Sequence, residues 1–422
     1  MPVKISKSFL EGAENMSDFK SLIEKSLKGP TTELLEVILG GAVSLRASDL
    51  HFEPQEESVR IRVRIDGMLH DVMDIGKDLY KNIVSRIKLL SKAKLNVVDR
   101  PQAGRFTIEK EKSEIEIRTS LLPSEEGESV VLRILDPEKL VEMEDLGLRE
   151  DLLSFFEKEI KKPNGMVIIT GPTGSGKTTT LYAFLKKIQR PGIKIITIED
   201  PIEYHLEDIT QTQTNPSKGY DFASGLKSIM RQDPDVILVG EIRDGETAKI
   251  AVQAALTGHL VFSTLHTNDA AGTIARMASL GAETTNLGPA INVVVAQRLV
   301  RKICEKCSVM EKPTPEEMEK IKKSVSSIAE KADLPPLDFS LKIPKAKGCK
   351  YCNNTGYKGR VGIFESFPMD DEMEKFILKN PSIASLREKA IEKGMVTMGQ
   401  DGIIKVLKKM TTIEEVERVS ET

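Results

Sequence analysis

One stretch constrains this chain more than any other. Met166 to Thr180 reads MVIITGPTGSGKTTT, an apolar run that opens into a glycine-rich turn and closes on Gly176-Lys177-Thr178. Val167, Ile168 and Ile169 predict a strand. After the turn, Leu181, Phe184, Leu185 and Ile188 recur at helical spacing until Pro191-Gly192 ends the helix. Strand, loop and helix in that order make a cradle for a triphosphate. Gly171, Gly174 and Gly176 let backbone N–H groups of the loop converge on phosphate oxygens with no Cβ in the way, and the candidate nucleotide-binding residues run from Gly171 through Pro172, Thr173 and Ser175 to Thr179. The helix N-terminus adds partial positive charge. Lys177 then stands near the β- and γ-phosphates as a point charge, and the Thr178 hydroxyl takes one position on Mg²⁺.

A length of 422 residues predicts two to four domains, and 40% hydrophobic with 30% charged residues suits a well-cored chain. No apolar stretch is long enough to cross a bilayer, and MPVKISKSFLEGAENM has no signal-peptide core, so the expected compartment is the cytoplasm. A net charge of -3, 5% aromatics and no Trp disfavour direct nucleic-acid binding.

All four cysteines fall in two CxxC pairs, Cys304 with Cys307 and Cys349 with Cys352. A two-residue spacer lets both sulfurs of a knuckle face one ion, so the pattern predicts a structural Zn²⁺ site, with redox or unligated thiols as the alternatives. The 41 residues between the pairs must loop out and return.

Five regions follow along the chain. Residues 1–30 read as a short leader with a weak helical stretch, closed by Gly29-Pro30. Residues 31–140 read as a small α+β domain: a helix over Glu33 to Leu45, then Val59, Ile61, Val63 and Ile65 alternating with polar residues up to an Asp66-Gly67 turn. A second helix is expected over 78–94 and strands over 105–109, 114–119 and 129–135. Residues 146–300 alternate helices with short apolar strands, the signature of a three-layer α/β domain with a mostly parallel sheet. Residues 301–365 hold the cysteines and residues 366–422 a helical module whose apolar stripes suit core and subunit contacts.

Polar clusters end the strands of the α/β region. Ile193 to Ile198 ends in Glu199-Asp200-Pro201-Ile202-Glu203, Val236 to Val239 in Gly240-Glu241-Ile242-Arg243-Asp244, and Leu260 to Thr264 in Leu265-His266-Thr267. Ligands of open parallel sheets bind at the carboxyl edge, so these clusters and the phosphate loop should converge on one nucleotide. His51, in Asp49-Leu50-His51-Phe52-Glu53, is expected on a solvated strand face.

At this point the residues resemble the secretion-type ATPases of type II secretion and type IV pilus systems, related to GspE, PilB and PilT. The resemblance runs from about residue 33 to the C-terminus. It rests on the Walker A loop GPTGSGKT, the Asp box TIEDPIEYH, the Walker B strand DVILVGEIRD, the His box TGHLVFSTLHTNDA and the tetracysteine pattern ending in GCKYCNNTGYKGRVGIFE. It implies a RecA-like P-loop domain that uses ATP, Mg²⁺ and Zn²⁺, assembled as a homo-hexamer and acting through an integral inner-membrane platform protein. It makes Glu203 the glutamate that polarises water and puts Glu241 near Mg²⁺ together with Thr178. His259 and His266 become the residues that sense the γ-phosphate. Arg105, Arg118 and Arg133, from PQAGRF and EIRTSLLPSEEGESVVLRIL, are candidates for arginines that reach a neighbouring subunit's nucleotide. Arg231 and Arg243 are weaker switch candidates.

The resemblance implies a motor that assembles a pilus or a secretion pseudopilus, the tetracysteine segment favouring assembly. Alternatives are a retraction or DNA-uptake motor of the same family and, from another class, a zinc-ribbon nucleic-acid translocase. Arg301, Lys302, Lys347, Lys350 and Arg360 near the cysteines support that last reading. A non-hydrolysing nucleotide-gated scaffold is a third.

Overall fold

A computed structural model describes residues 3–110, 113–326, 328 and 334–420. It divides into two compact units. The first comprises residues 1–139 with 304–307 and 347–358; the second comprises 140–303, 308–346 and 359–422.

The first unit is built on a seven-stranded sheet ordered β1-β5-β6-β7-β2-β3-β4. These strands are β1 (Val3–Lys4), β2 (Asp49–Pro54), β3 (Ser58–Ile65), β4 (Met68–Gly76), β5 (Gln102–Lys110), β6 (Ser113–Ser124) and β7 (Gly127–Leu135). In β3 the alternation is literal: Val59, Ile61 and Val63 are fully buried, while Arg60 and Arg62 face outward to pair with Asp74 and Asp71 on β4. Asp66 and Gly67 both take positive φ, 51° and 85°, and so close the β3–β4 hairpin with the tight turn their sequence demands. Helices α3 (Thr31–Ser44) and α4 (Lys77–Ser91) contribute apolar side chains, among them Leu34, Ile38, Ile83 and Ile87, to the core of this unit.

The leader expected over residues 1–30 is part of this unit. β1 adds a parallel edge strand to β5, with Val3 opposite Ile108. After the short helix α1 (Lys7–Leu10), α2 (Met16–Ser26) is capped by the Asn15 side chain and buries Phe19 and Ile23 completely. It lies so close to α3 that a Cβ at Gly41 would fall 2.2 Å from the Phe19 ring. Met16, Phe19, Leu22 and Ile23 recur at helical spacing, but over a helix of three turns they do not say which surface it docks on. His51 also departs from expectation. Its side chain is only 15% exposed, not solvated, and burial pushes its pKa down.

The second unit carries another seven-stranded sheet, ordered β10-β9-β11-β12-β8-β13-β16. Its strands are β8 (Gly165–Thr170), β9 (Ile195–Glu199), β10 (Thr210–Gln213), β11 (Val236–Val239), β12 (Leu260–Leu265), β13 (Ile291–Ile303) and β16 (Tyr357–Pro368). Every pairing from β10 through to β13 is parallel. Alternate residues of β8 feed opposite layers. Val167 and Ile169 pack with Phe156 of α5 (Glu150–Glu159) and Phe184 of α6 (Lys177–Ile188). Met166 and Ile168 pack with Ala248 and Ala251 of helix Gly245–Leu256 and Ile274 of helix Ala270–Ser279.

Two regional expectations meet a different arrangement. The residues after 366 share the core of the α/β sheet, since Ile377, Leu386, Ile404 and Val416 belong to the same buried cluster as Met166 and Ile237. The cysteine region 301–365 is divided: both knuckles cluster with the first unit, whereas 308–346 belong to the second. That insertion is ordered by helix Pro315–Val325, closed by a Thr314–Glu317 capping box, and by a two-stranded antiparallel ribbon, β14 (Val309–Glu311) with β15 (Ile343–Lys345). No described helix is long and apolar enough to cross a membrane.

Candidate nucleotide site and cysteine cluster

The phosphate loop starts where β8 stops. The Thr170 hydroxyl, fully buried, donates to the Leu265 carbonyl at 3.1 Å and accepts the Thr267 backbone N–H at 2.8 Å. The end of β8 and the turn that carries His266 are thereby fixed to each other. Gly176 caps the start of α6 with φ 88°, and a Cβ there would lie 2.8 Å from the Gln297 side-chain amide, so only glycine fits without a shift. Gln297, buried on β13, also accepts the Thr180 hydroxyl at 2.9 Å and so braces the loop from beneath. Inside the loop the buried Ser175 hydroxyl has no hydrogen-bond partner among the described residues. An orphaned donor in a cradle of backbone N–H groups suits an anionic ligand.

Lys177 begins α6 and donates to the Gly171 and Pro172 carbonyls at 2.7 and 3.1 Å. Burial, aided by the nearby Arg298 guanidinium and opposed by Glu241, lowers its pKa to about 8. An ammonium so desolvated gains from an arriving anion.

Glu241 follows β11 and sits among cations. Its carboxylate contacts Arg243, lies 3.6 Å from His266 Nε2 and interacts with Lys177. Arg243 also stands 3.7 Å from Asp200, so one guanidinium joins the loops after β9 and β11. His266, just past β12, has its pKa lowered by burial and then by Lys177, and the imidazole is therefore neutral at pH 7.

The Glu199-to-Glu203 segment divides its two glutamates by environment. Glu199 is buried at the end of β9, bonded by the hydroxyls of Tyr182 and Thr197 and by the Gln211 amide, and burial raises its pKa. The Tyr182 hydroxyl also interacts with the backbone at Glu203 and Tyr204, and Gln211 holds the Tyr204 carbonyl at 3.0 Å. Glu199 is thus the anchor. Glu203 is the half-buried carboxylate the anchored loop presents, close enough to interact with Glu199.

Lys177, at the start of α6, and Glu203, Glu241 and His266, on loops, therefore lie at the carboxyl edge of one parallel sheet. His259 does not join them. It precedes β12 at the amino end, where its Nδ1 lies 3.1 Å from the Ala254 carbonyl, and six residues of strand, about 20 Å, separate it from His266. The expectation that both histidines attend one nucleotide is corrected on that ground: a parallel strand carries its two ends to opposite edges. Arg231 turns to the Ser228 hydroxyl at 3.2 Å. Sequence reasoning missed Thr170, Tyr182, Gln211, Gln297 and Arg298. The last pair left a signal, a polar dipeptide interrupting the apolar run INVVVAQRLV.

In the first unit, Arg105, Arg118 and Arg133 are direct cross-strand neighbours on β5, β6 and β7, and Asp49 on β2 continues the row. Like charges placed opposite each other repel. Glu116 and Asp49 offset them, at 2.9 Å from Arg118 and 3.0 Å from Arg133. Arg105, 3.9 Å from Glu116, is the most exposed of the three.

The four cysteine sulfurs all lie within 4.8 Å of one another. Contacts of 3.7 to 4.0 Å separate Cys307 from Cys352 and Cys304 from Cys349, spacings suited to four ligands around one ion, and all four thiols are free. Backbone N–H groups of Gly348, Cys349 and Gly356 point at the sulfurs of Cys307 and Cys352. Such donors stabilise thiolates, and the donor set therefore fits a tetrahedral metal ion.

A phosphate loop, acidic strand ends and a strand-end histidine on a parallel sheet of this order define a RecA-like P-loop ATPase. Comparison with known proteins then places it. The chain belongs to the type II/IV secretion system protein family, whose model matches residues 24–418. It is similar to a type II secretion system protein E from Xanthomonas campestris, 42% identical over 97% of this chain and 70% of that protein. It is also similar to a type IV pilus assembly ATPase PilB from Thermus thermophilus, 43% identical over 88% of this chain but 41% of that one. Among solved structures, the pilus retraction motor PilT with bound ADP aligns with a TM-score of 0.60 and 26% identity over 91% of this chain and 96% of that one. Nucleotide and Mg²⁺ use follow from membership of this ATPase family.

Proposed function

We propose that the protein is a cytoplasmic hexameric ATPase that powers assembly of a type IV pilus or a type II secretion pseudopilus through an integral membrane platform protein. The observation that carries the reading is the meeting of Lys177, Glu241 and His266 at one sheet edge with the loop that presents Glu203. In this reading Lys177 neutralises the β- and γ-phosphates and Glu203 orients and deprotonates the attacking water. The neutral His266 imidazole donates to the γ-phosphate, and its contact with Glu241 transmits the loss of that group. Thr178 and Glu241 would hold Mg²⁺, which when bound neutralises charge on the phosphates. Glu241 would reach the metal from beside Arg243 and His266.

Arginines of the row Arg105-Arg118-Arg133 would complete a neighbouring subunit's site, and the four cysteines would hold structural zinc. The similarity to protein E and PilB supports assembly over retraction. Glu203→Gln should lower kcat by about 10²- to 10⁴-fold while ATP affinity stays at the wild-type level. Wild-type turnover in that variant overturns the base assignment. Loss of filaments in a deletion strain fits assembly, and excess filaments would reverse the direction. ATP turnover stimulated by single-stranded DNA in a salt-sensitive way would favour translocation instead.

A further inference from the structure

Arg298 is the cation in the second unit whose bonds its position explains least. It lies on β13 one residue after Gln297, and the register sets Ala296 opposite Thr170, so Arg298 stands beside the start of the phosphate loop. A Cβ built on Gly171 would fall 3.2 Å from its Nη1. The guanidinium bonds only neutral carbonyls: Nη1 donates to Gln297 at 3.2 Å and Nη2 to Asn268 at 2.9 Å. Among the described residues no carboxylate lies within ion-pair distance of it. Glu365, the acidic group that interacts with it from farther off, is already engaged by the backbone N–H groups of Ala270 and Met398. Arg298 also interacts repulsively with Lys177, which likewise bonds only the Gly171 and Pro172 carbonyls. Two partly buried cations converge on one loop, and a guanidinium among neutral carbonyls is poorly compensated.

We propose that Arg298 is a second phosphate-binding cation of the ATP site, supplied by the same subunit as Lys177. It presents Nη1 to a phosphate oxygen while Nη2 keeps its bond to the Asn268 carbonyl. The inference rests on the reading of Lys177 as a phosphate ligand. Arginine suits the task because its fork serves two acceptors at once and keeps its proton on entering a half-buried site.

The test measures displacement of a fluorescent ATP analogue from full-length protein at one fixed salt concentration for wild type, R298Q, R298K and K177A, with melting of the nucleotide-free proteins alongside. R298Q should bind ATP about tenfold or more weakly, the scale of one charge-assisted hydrogen bond. R298K should recover most of that loss, and the nucleotide-free melting temperature should not move. Wild-type affinity in R298Q while K177A fails to bind overturns the proposal and leaves the site intact. Equal losses in R298Q and R298K with lowered melting temperatures also overturn it, in favour of a brace for the turn. Wild-type binding by K177A would sink the underlying reading of the site itself.

Discussion

Nucleotide affinity should fall as pH rises through 8, and Lys177 is the reason. Burial lowers its pKa to about 8, with Arg298 adding to the effect and Glu241 opposing it. A bound phosphate favours the ammonium, so the complex keeps the proton well above that pH and binding is coupled to proton uptake by Lys177. The sign follows from the depressed value: below about 8 the lysine is already charged and nothing is lost, and above it each unit of pH removes a growing share of the competent form. With a free-state pKa of about 8, the protonated fraction is about three-quarters at pH 7.5 and about one-tenth at pH 9, so affinity should drop about eightfold across that interval. ADP with constant Mg²⁺ is the suitable ligand, titrated by calorimetry in buffers of different ionisation enthalpy. Net proton uptake on binding near pH 8 is the expected signature. An affinity constant from pH 7.5 to 9 with no proton uptake would refute both the desolvation of Lys177 and its contact with phosphate.

Two further outcomes test the parts of the molecule away from the phosphates. The Met16 backbone N–H donates to the Asn353 side chain of the second cysteine knuckle at 2.8 Å, so metal at the cysteines should steady the start of α2. Purified protein is expected to carry about one zinc per chain. Cys352→Ser should lower that content and accelerate amide exchange over Met16–Ser26, and unchanged exchange in the metal-free variant would disconnect knuckle from helix. Phe19→Ala should destabilise the first unit by about 3–5 kcal/mol, the usual cost of truncating a fully buried phenylalanine, read as a shifted urea transition by circular dichroism. A shift under about 1 kcal/mol would mean that α2 is a loose appendage.

The two glutamates after β9 show why a motif identifies a site more readily than its roles. Both belong to the same five residues, yet Glu199 is buried and held by Tyr182, Thr197 and Gln211, whereas Glu203 is only half-buried. The difference arises from a tyrosine on α6 and a glutamine on β10 that no local pattern connects to the motif. The histidines teach the same lesson. His259 and His266 flank one strand symmetrically in sequence, and direction along a parallel strand alone sends them to opposite edges.

Local chemistry therefore made several things legible from the residues. Glycines where a Cβ would collide, alternation in β3, an Asp-Gly turn and two CxxC knuckles each respond to neighbours a few positions away, so composition and spacing suffice to read them. They announced a phosphate loop, a parallel α/β sheet and a four-cysteine cluster. Long-range packing decided the rest. Only the fold could dock α2 against Gly41, merge the C-terminal helices into the sheet's core, divide the cysteine region between two units and set Gln297 and Arg298 under the phosphate loop. Those outcomes depend on which surfaces meet across tens to hundreds of residues, and burial energy of that kind has no period along the chain.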